Sequence, residues 1–144
     1  MISDKGDYLE FYSPDKTDTY VEEVHQVNSV TYMRVKQPDL LFWHTVNEGK
    51  KNITAALRDD QAGLLKGVSD FVIIIGIRPG CRYTFAAIEL KRVNKSGKGK
   101  ASPVSEAQRD FLRKVREKGG FAAVAYGKSE FVKAVEYMLN SINC

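Results

Sequence analysis

The sequence predicts an α/β protein, a mixed β-sheet flanked by helices. Three observations predict it. Two apolar runs rich in branched and aromatic residues, 70–77 and 82–91, flank the turn signal Arg78-Pro79-Gly80 and read as an antiparallel hairpin. From Glu89 onward the pattern is strand, helix, strand, helix, and a right-handed crossover makes strands joined in this way parallel. Ahead of the hairpin, Tyr20, Val24, Val27 and Val30 recur near helical spacing.

The elements follow in order. Residues 1–16 carry Gly6, Pro14 and several acids and read as an irregular lead-in, with Tyr8, Leu9, Phe11 and Tyr12 available to dock on the body. A helix is expected from about Asp18 to Lys36, with Thr17, Asp18 or Thr19 as N-cap and Gln37-Pro38-Asp39 as its stop. Residues 40–46 form a strand candidate, in which Trp43 and its apolar neighbours read as core rather than as a base-stacking platform. Asn47 to Asn52 is a turn, and Ile53 to Leu65 a short helix ended before Gly67. After the hairpin, residues 92–103 are rich in glycine and lysine and are expected to be mobile. Ser105 opens a helix with Ala107, Phe111, Leu112 and Val115 on one face, and Gly119-Gly120 ends it. Residues 121–126 are the final strand, and Ser129 to about Asn140 the final helix.

The 144 residues make one ordinary domain, with no internal repeat or linker. With 43% hydrophobic and 28% charged residues the chain is globular, and no apolar run reaches the ~20 residues that span a bilayer. The opening residues carry no basic segment followed by an apolar stretch, so no secretory leader is expected. Cys81 and Cys144 sit in no zinc-ligand spacing and read as reduced thiols. A net charge of +4 permits a polyanionic partner without requiring one.

The chemistry lies at Asp70 and Glu89-Leu90-Lys91. Glu89 and Lys91 are two apart on a strand and share a face, which turns Ile88 and Leu90 to the core. An acid beside a buried strand is costly unless compensated. Two converging carboxylates can share a divalent cation, and a neighbouring lysine can orient water, which is the minimal equipment of a metal-dependent phosphodiesterase. The same acids also read as solvent-facing strand ends, and Lys91 as a surface lysine. Ser105-X-X-Gln108 is a capping box. Arg92, Lys95, Lys98 and Lys100, with glycines between them and no acid, read as a solvated loop or as phosphate contacts next to Lys91. His25 and His44 read as packing or surface residues.

Taken together, these pieces resemble the PD-(D/E)XK nuclease superfamily, and within it the virus-type replication-repair nuclease domain, VRR-NUC. The resemblance is carried by Glu22-Glu23-Val24-His25-Gln26, Asn47-Glu48-Gly49-Lys50, Gly67-Val68-Ser69-Asp70, Ile88-Glu89-Leu90-Lys91, Ser105-Glu106-Ala107-Gln108 and the Gly120-to-Tyr126 strand, in that order, from about Tyr20 to Leu139. It departs from the family at Ser69, where proline is usual.

The resemblance implies a restriction-endonuclease-like core and magnesium, with manganese able to substitute, held by Asp70, Glu89 and the backbone carbonyl of Leu90. It implies Lys91 as the residue that assists water. Gln108 and a first-helix acid, Glu22 rather than Glu23, would support the site, so Gln108 has a second role beside the cap. Arg92, Lys95, Lys98, Lys100 and Lys50 would meet DNA.

Stand-alone VRR-NUC proteins resemble phage or bacterial Holliday-junction resolvases. That implies a homodimer on branched DNA in the host cytoplasm, pairing through Tyr8, Phe11 and Tyr12 or the outer face of the first helix. The alternatives are a nicking, flap or site-specific endonuclease of the same superfamily and a non-catalytic DNA-binding protein. A small-molecule-binding α/β domain would need a glycine-rich phosphate loop, and none is present.

Overall fold

A computed structural model describes residues 1–46 and 53–142. The Asn47–Asn52 turn, Lys50 and Cys144 lie outside the described residues. The elements run β1 (Ile2–Asp4), β2 (Leu9–Phe11), α1 (Glu22–Lys36), β3 (Leu41–His44), α2 (Ile53–Gln61), β4 (Phe71–Ile74), β5 (Phe85–Lys91), α3 (Glu106–Glu117), β6 (Phe121–Tyr126) and α4 (Lys128–Leu139). They build one mixed six-stranded sheet in the order β1-β2-β6-β5-β4-β3.

β3, β4 and β5 pair antiparallel, with Phe71 opposite Ile88 and Trp43 opposite Val72. The crossover through α3 makes β5 and β6 parallel, with Glu89 opposite Val124. Side chains alternate across the sheet. Ile88, Leu90, Phe71 and Ile73 enter one core with Met33 of α1 and Phe131, Val135 and Met138 of α4. Ala87, Ala122 and Val124 enter the other core with Leu112 and Val115 of α3. Glu89 and Lys91 thus point to the α3 side, opposite Ile88 and Leu90.

The lead-in is not irregular. β1 and β2 form a hairpin, and β2 joins β6 in parallel, with Glu10 opposite Val124. Alternation in β2 sends Phe11 into the α1–α4 core, while Tyr8, just before it, enters the α3 core. Both are buried, so neither is free to pair two copies.

α1 starts at Glu22, later than expected, with Val21 as N-cap and no side-chain cap. Two of the three residues expected to cap it, Thr17 and Asp18, are committed to local turns. Asp15 accepts from the Thr17 amide and hydroxyl, and Asp18 accepts from the Tyr20 amide. β4 ends at Ile74, short of the expected 77, because the Ile75 and Gly76 amides both turn onto the Thr84 carbonyl.

The 92–103 segment is anchored, against the expected mobility. Val93, Asn94 and Ala101 are buried, and the Asn94 amide group bridges to the backbone of Asp15 and Asp18. No described helix is long and apolar enough to cross a membrane.

Candidate active site

The register of the hairpin creates the site. The β4–β5 ladder stops at Phe71 and Ile88, so Leu90 meets no strand partner on its β4 side. Its N–H donates instead to Asp70 Oδ2 at 2.8 Å. In a strand a residue's N–H and C=O lie along the same edge, so the Leu90 carbonyl faces the Asp70 side as well. The Asp70 carbonyl accepts from the Thr45 amide at 2.8 Å and lies 3.1 Å from His44 Nδ1, which ties the start of β4 to the end of β3.

Glu89 is 2% exposed. Its Oε1 accepts from Gln108 Nε2 at 3.0 Å, and its Oε2 is buried with no hydrogen-bond partner among the described residues. Burial, and then the Asp70 carboxylate beside it, push the Glu89 carboxyl up to about 9; Glu22 adds to the shift and Lys91 opposes it. Glu22 is raised as well, first by burial and then by Asp70, with Lys91, His44 and Arg92 opposing. Of the two first-helix acids, Glu22 is half-buried and feels the site, whereas Glu23 is exposed.

No three Asp, Glu, His or Cys side chains among the described residues converge as a complete ligand set. An ion here would rest on Asp70, Glu89, the Leu90 carbonyl and water. That suits magnesium, which binds through one or two carboxylates and keeps several waters. The unpartnered Glu89 oxygen and the neighbouring Asp70 carboxylate suit a divalent cation.

Lys91 is 3% exposed, and its ammonium donates to Ser102 Oγ at 3.2 Å, Gln108 Oε1 at 3.2 Å and the Pro103 carbonyl at 3.4 Å. All three donors are therefore directed, and the Pro103 bond is the longest and easiest to exchange for a water or phosphate oxygen.

Gln108 makes the expected cap and also touches both Glu89 and Lys91. Ser105 Oγ accepts from the Gln108 amide and Gln108 Oε1 accepts from the Ser105 amide, the full capping box. The same side chain accepts from Lys91 and donates to Glu89. An amide group has both an acceptor and a donor end, so the cap and the site do not compete.

The expected DNA contacts separate. Arg92 is half-buried and donates to the Thr19 carbonyl. Lys95 pairs with buried Glu10 at 2.7 Å and stands over the rings of Tyr12 and Tyr126. Lys98 and Lys100 are exposed and enter no ion pair among the described residues. Changing Lys98 and Lys100 to Ser is expected to reduce the slope of log affinity against log salt by about 0.9 for each phosphate left unneutralised on duplex DNA, with melting unchanged. Lys95→Ser is expected to lower the melting temperature, because it leaves the buried Glu10 carboxylate only the more distant Lys5 ammonium, at 4.0 Å. Salt titrations and thermal melts check both. The cations of α3 are largely neutralised, by Asp110 and Glu117 for Arg113, Asp110 for Lys114, Asp4 for Arg116 and Asp7 for Arg109.

Sequence reasoning missed Ser102 and Pro103, which orient Lys91 from a loop with no motif to mark them. It also misplaced Trp43, which is 47% exposed rather than core.

The family pattern of the VRR-NUC domain matches residues 21–129. A solved structure described as a "VRR_NUC domain protein" superposes with a TM-score of 0.65 at 15% identity, covering 87% of this chain and 98% of that one. None of the curated proteins matches the chain.

Proposed function

The chain belongs to the VRR-NUC domain family, a nuclease family, and we propose on that basis that it is a magnesium-dependent endonuclease that hydrolyses phosphodiester bonds in branched DNA, working as a homodimer. The observation that supports this most is the buried Glu89 carboxylate, pressed against Asp70 with one oxygen unpartnered among the described residues, beside a lysine whose three donors are all directed.

A bound magnesium would supply Lewis-acid polarisation of the phosphate and a more acidic water. Asp70, Glu89 and the Leu90 carbonyl would hold it. Lys91 releases its Pro103 bond to orient the attacking water and to meet negative charge as it builds on the phosphate oxygens. Gln108 keeps the Glu89 carboxylate and the Lys91 ammonium in register. Water adds at phosphorus, one P–O ester bond breaks, and the departing oxygen takes a proton. Two copies related by a two-fold axis would place two nicks on opposed strands of a junction. With Tyr8 and Phe11 buried and Tyr12 half-buried, the outer face of α1, where Val27 and Val35 are exposed, is the more open of the pairing surfaces expected.

The test offers linear duplex, single-strand, flap and four-way-junction DNA side by side with magnesium or manganese. Cleavage of branched forms first, abolished by chelator, is expected. No cleavage of any form overturns the nuclease reading. Lys91→Met is expected to slow single-turnover cleavage at least about a hundredfold, the scale of losing one oriented donor to developing charge. It should leave the metal concentration at half-maximal rate nearly unchanged.

A further inference from the structure

Trp43 is the only tryptophan in the sequence. Its β3 neighbour Phe42 pairs with Ile73 and packs on the α1–α4 core. Trp43, Leu41, Val72 and Ile74 therefore project from the opposite face, the face that carries Glu89 and α3. α3 covers β5 and β6 there and does not reach β3 or β4, so Leu41, Trp43 and Ile74 stay exposed. Val72, opposite Trp43, is two residues from Asp70. At about 3.4 Å per residue and about 4.8 Å between strands, the Trp43 backbone stands about 8 Å from that of Asp70. That is two to three steps of a stacked DNA strand at about 3.4 Å each.

The apolar floor thus opens directly onto the candidate active site. Lys91 at the site suits a backbone phosphate, and the indole face beside it suits a base, so the two kinds of surface match the two halves of a nucleotide. A second copy of the chain seated on this floor would press against the Asp70 side and obstruct the site; a substrate base would not.

Resting on the nuclease reading, the geometry points to Trp43 as a stacking platform for an unpaired base two to three nucleotides from the scissile phosphate. Inside continuous duplex both faces of a base are covered by its neighbours. At a branch, a flap or a single-stranded end a face is open. Trp43 thereby selects DNA with exposed base faces, without reading sequence.

Trp43 emission reports directly on this. The full chain in chelator, where nothing is cut, is titrated with a short oligothymidylate, a flap and a relaxed closed-circular duplex at matched nucleotide concentration. Quenching by oligothymidylate and flap, but not by the closed circle, is expected. Trp43→Ala should weaken oligothymidylate binding, read by anisotropy, about five- to a hundredfold. The salt slope should not change, since stacking neutralises no phosphate. Trp43→Phe, which keeps a ring on an exposed strand, should stay within about threefold of the parent.

Binding without quenching, equal quenching by the closed circle, or no DNA binding at all overturns the inference. So does a Trp43→Ala variant that binds normally but changes mass by light scattering, which would assign the face to a second copy. Quenching without cleavage in any metal would sink the nuclease reading and leave the platform standing. Cleavage without quenching would do the reverse.

Discussion

Glu89→Gln is expected to end cleavage and, in chelator at pH 8, to raise the melting temperature. The two effects share one cause. In the folded chain the Glu89 carboxyl titrates near 9 against an ordinary value of 4.5, because burial and the Asp70 carboxylate oppose its charge. A folded state that holds a proton more tightly than the unfolded chain is most stable below pH 4.5. It loses that contribution as pH rises toward 9. Glutamine copies the protonated form, so it removes the loss at pH 8 and flattens the decline of melting temperature between pH 5 and 9. At this chain length a stabilisation of 1 kcal/mol raises the melting temperature by roughly 2–4 °C. Added magnesium should stabilise the parent and not the variant. Asp70→Asn should also end cleavage, and it relieves the same repulsion. Cleavage by either variant at the parental rate would remove the two-carboxylate site. Equal melting of Glu89→Gln and parent at pH 8 would show that the Glu89 charge is not strained.

Gly67→Ala carries the largest expected loss of stability. Gly67 lies at φ +77, where a Cβ is strained at a cost of roughly 1–2 kcal/mol. A Cβ there would also lie 2.2 Å from the Ala107 carbonyl oxygen and 2.7 Å from the Gln108 nitrogen. Both are backbone atoms in the first turn of α3, and neither can rotate away. Overpacking adds about 1–3 kcal/mol, for a total of about 2–5 kcal/mol. Because the displaced turn carries Gln108, cleavage should fall with stability. Gly76 is the control, with φ +78 and open space around its Cβ position. Gly76→Ala should show the conformational cost alone. Equal melting of the two variants would mean that the packing against α3 is not tight.

Much of this arrangement is legible in the residues. The hairpin, β6, α3 and α4 are readable because each couples a sustained period to a turn or cap signal. The same-face placement of Glu89 and Lys91 follows from strand parity alone. β1 and β2 are not readable. At three residues each they are too short for a period to show, and their place depends on β6, far away in the chain. Trp43 misleads because an apolar strand at a sheet edge has the same composition whether or not a helix covers it; only the reach of α3 decides. Gln108 poses a choice between cap and site that vanishes in three dimensions. Ser69, where the family usually has proline, proves to be buried, its hydroxyl without a hydrogen-bond partner among the described residues. That departure touches packing and removes no ligand.

The parallel pairing of β2 with β6 separates the unit that is recognisable from the unit that folds. Recognition runs over residues 21–129, yet that span omits β2 and nearly all of α4. A fragment trimmed to it would lose Phe11, Phe131, Val135 and Met138 from one core and Tyr8 from the other. It would also leave β6 as an open edge, with unpaired amides and carbonyls available to any other strand. Expression fragments should therefore be cut by the sheet, not by the motif. The first dozen residues belong with the chemistry even though they supply none of it.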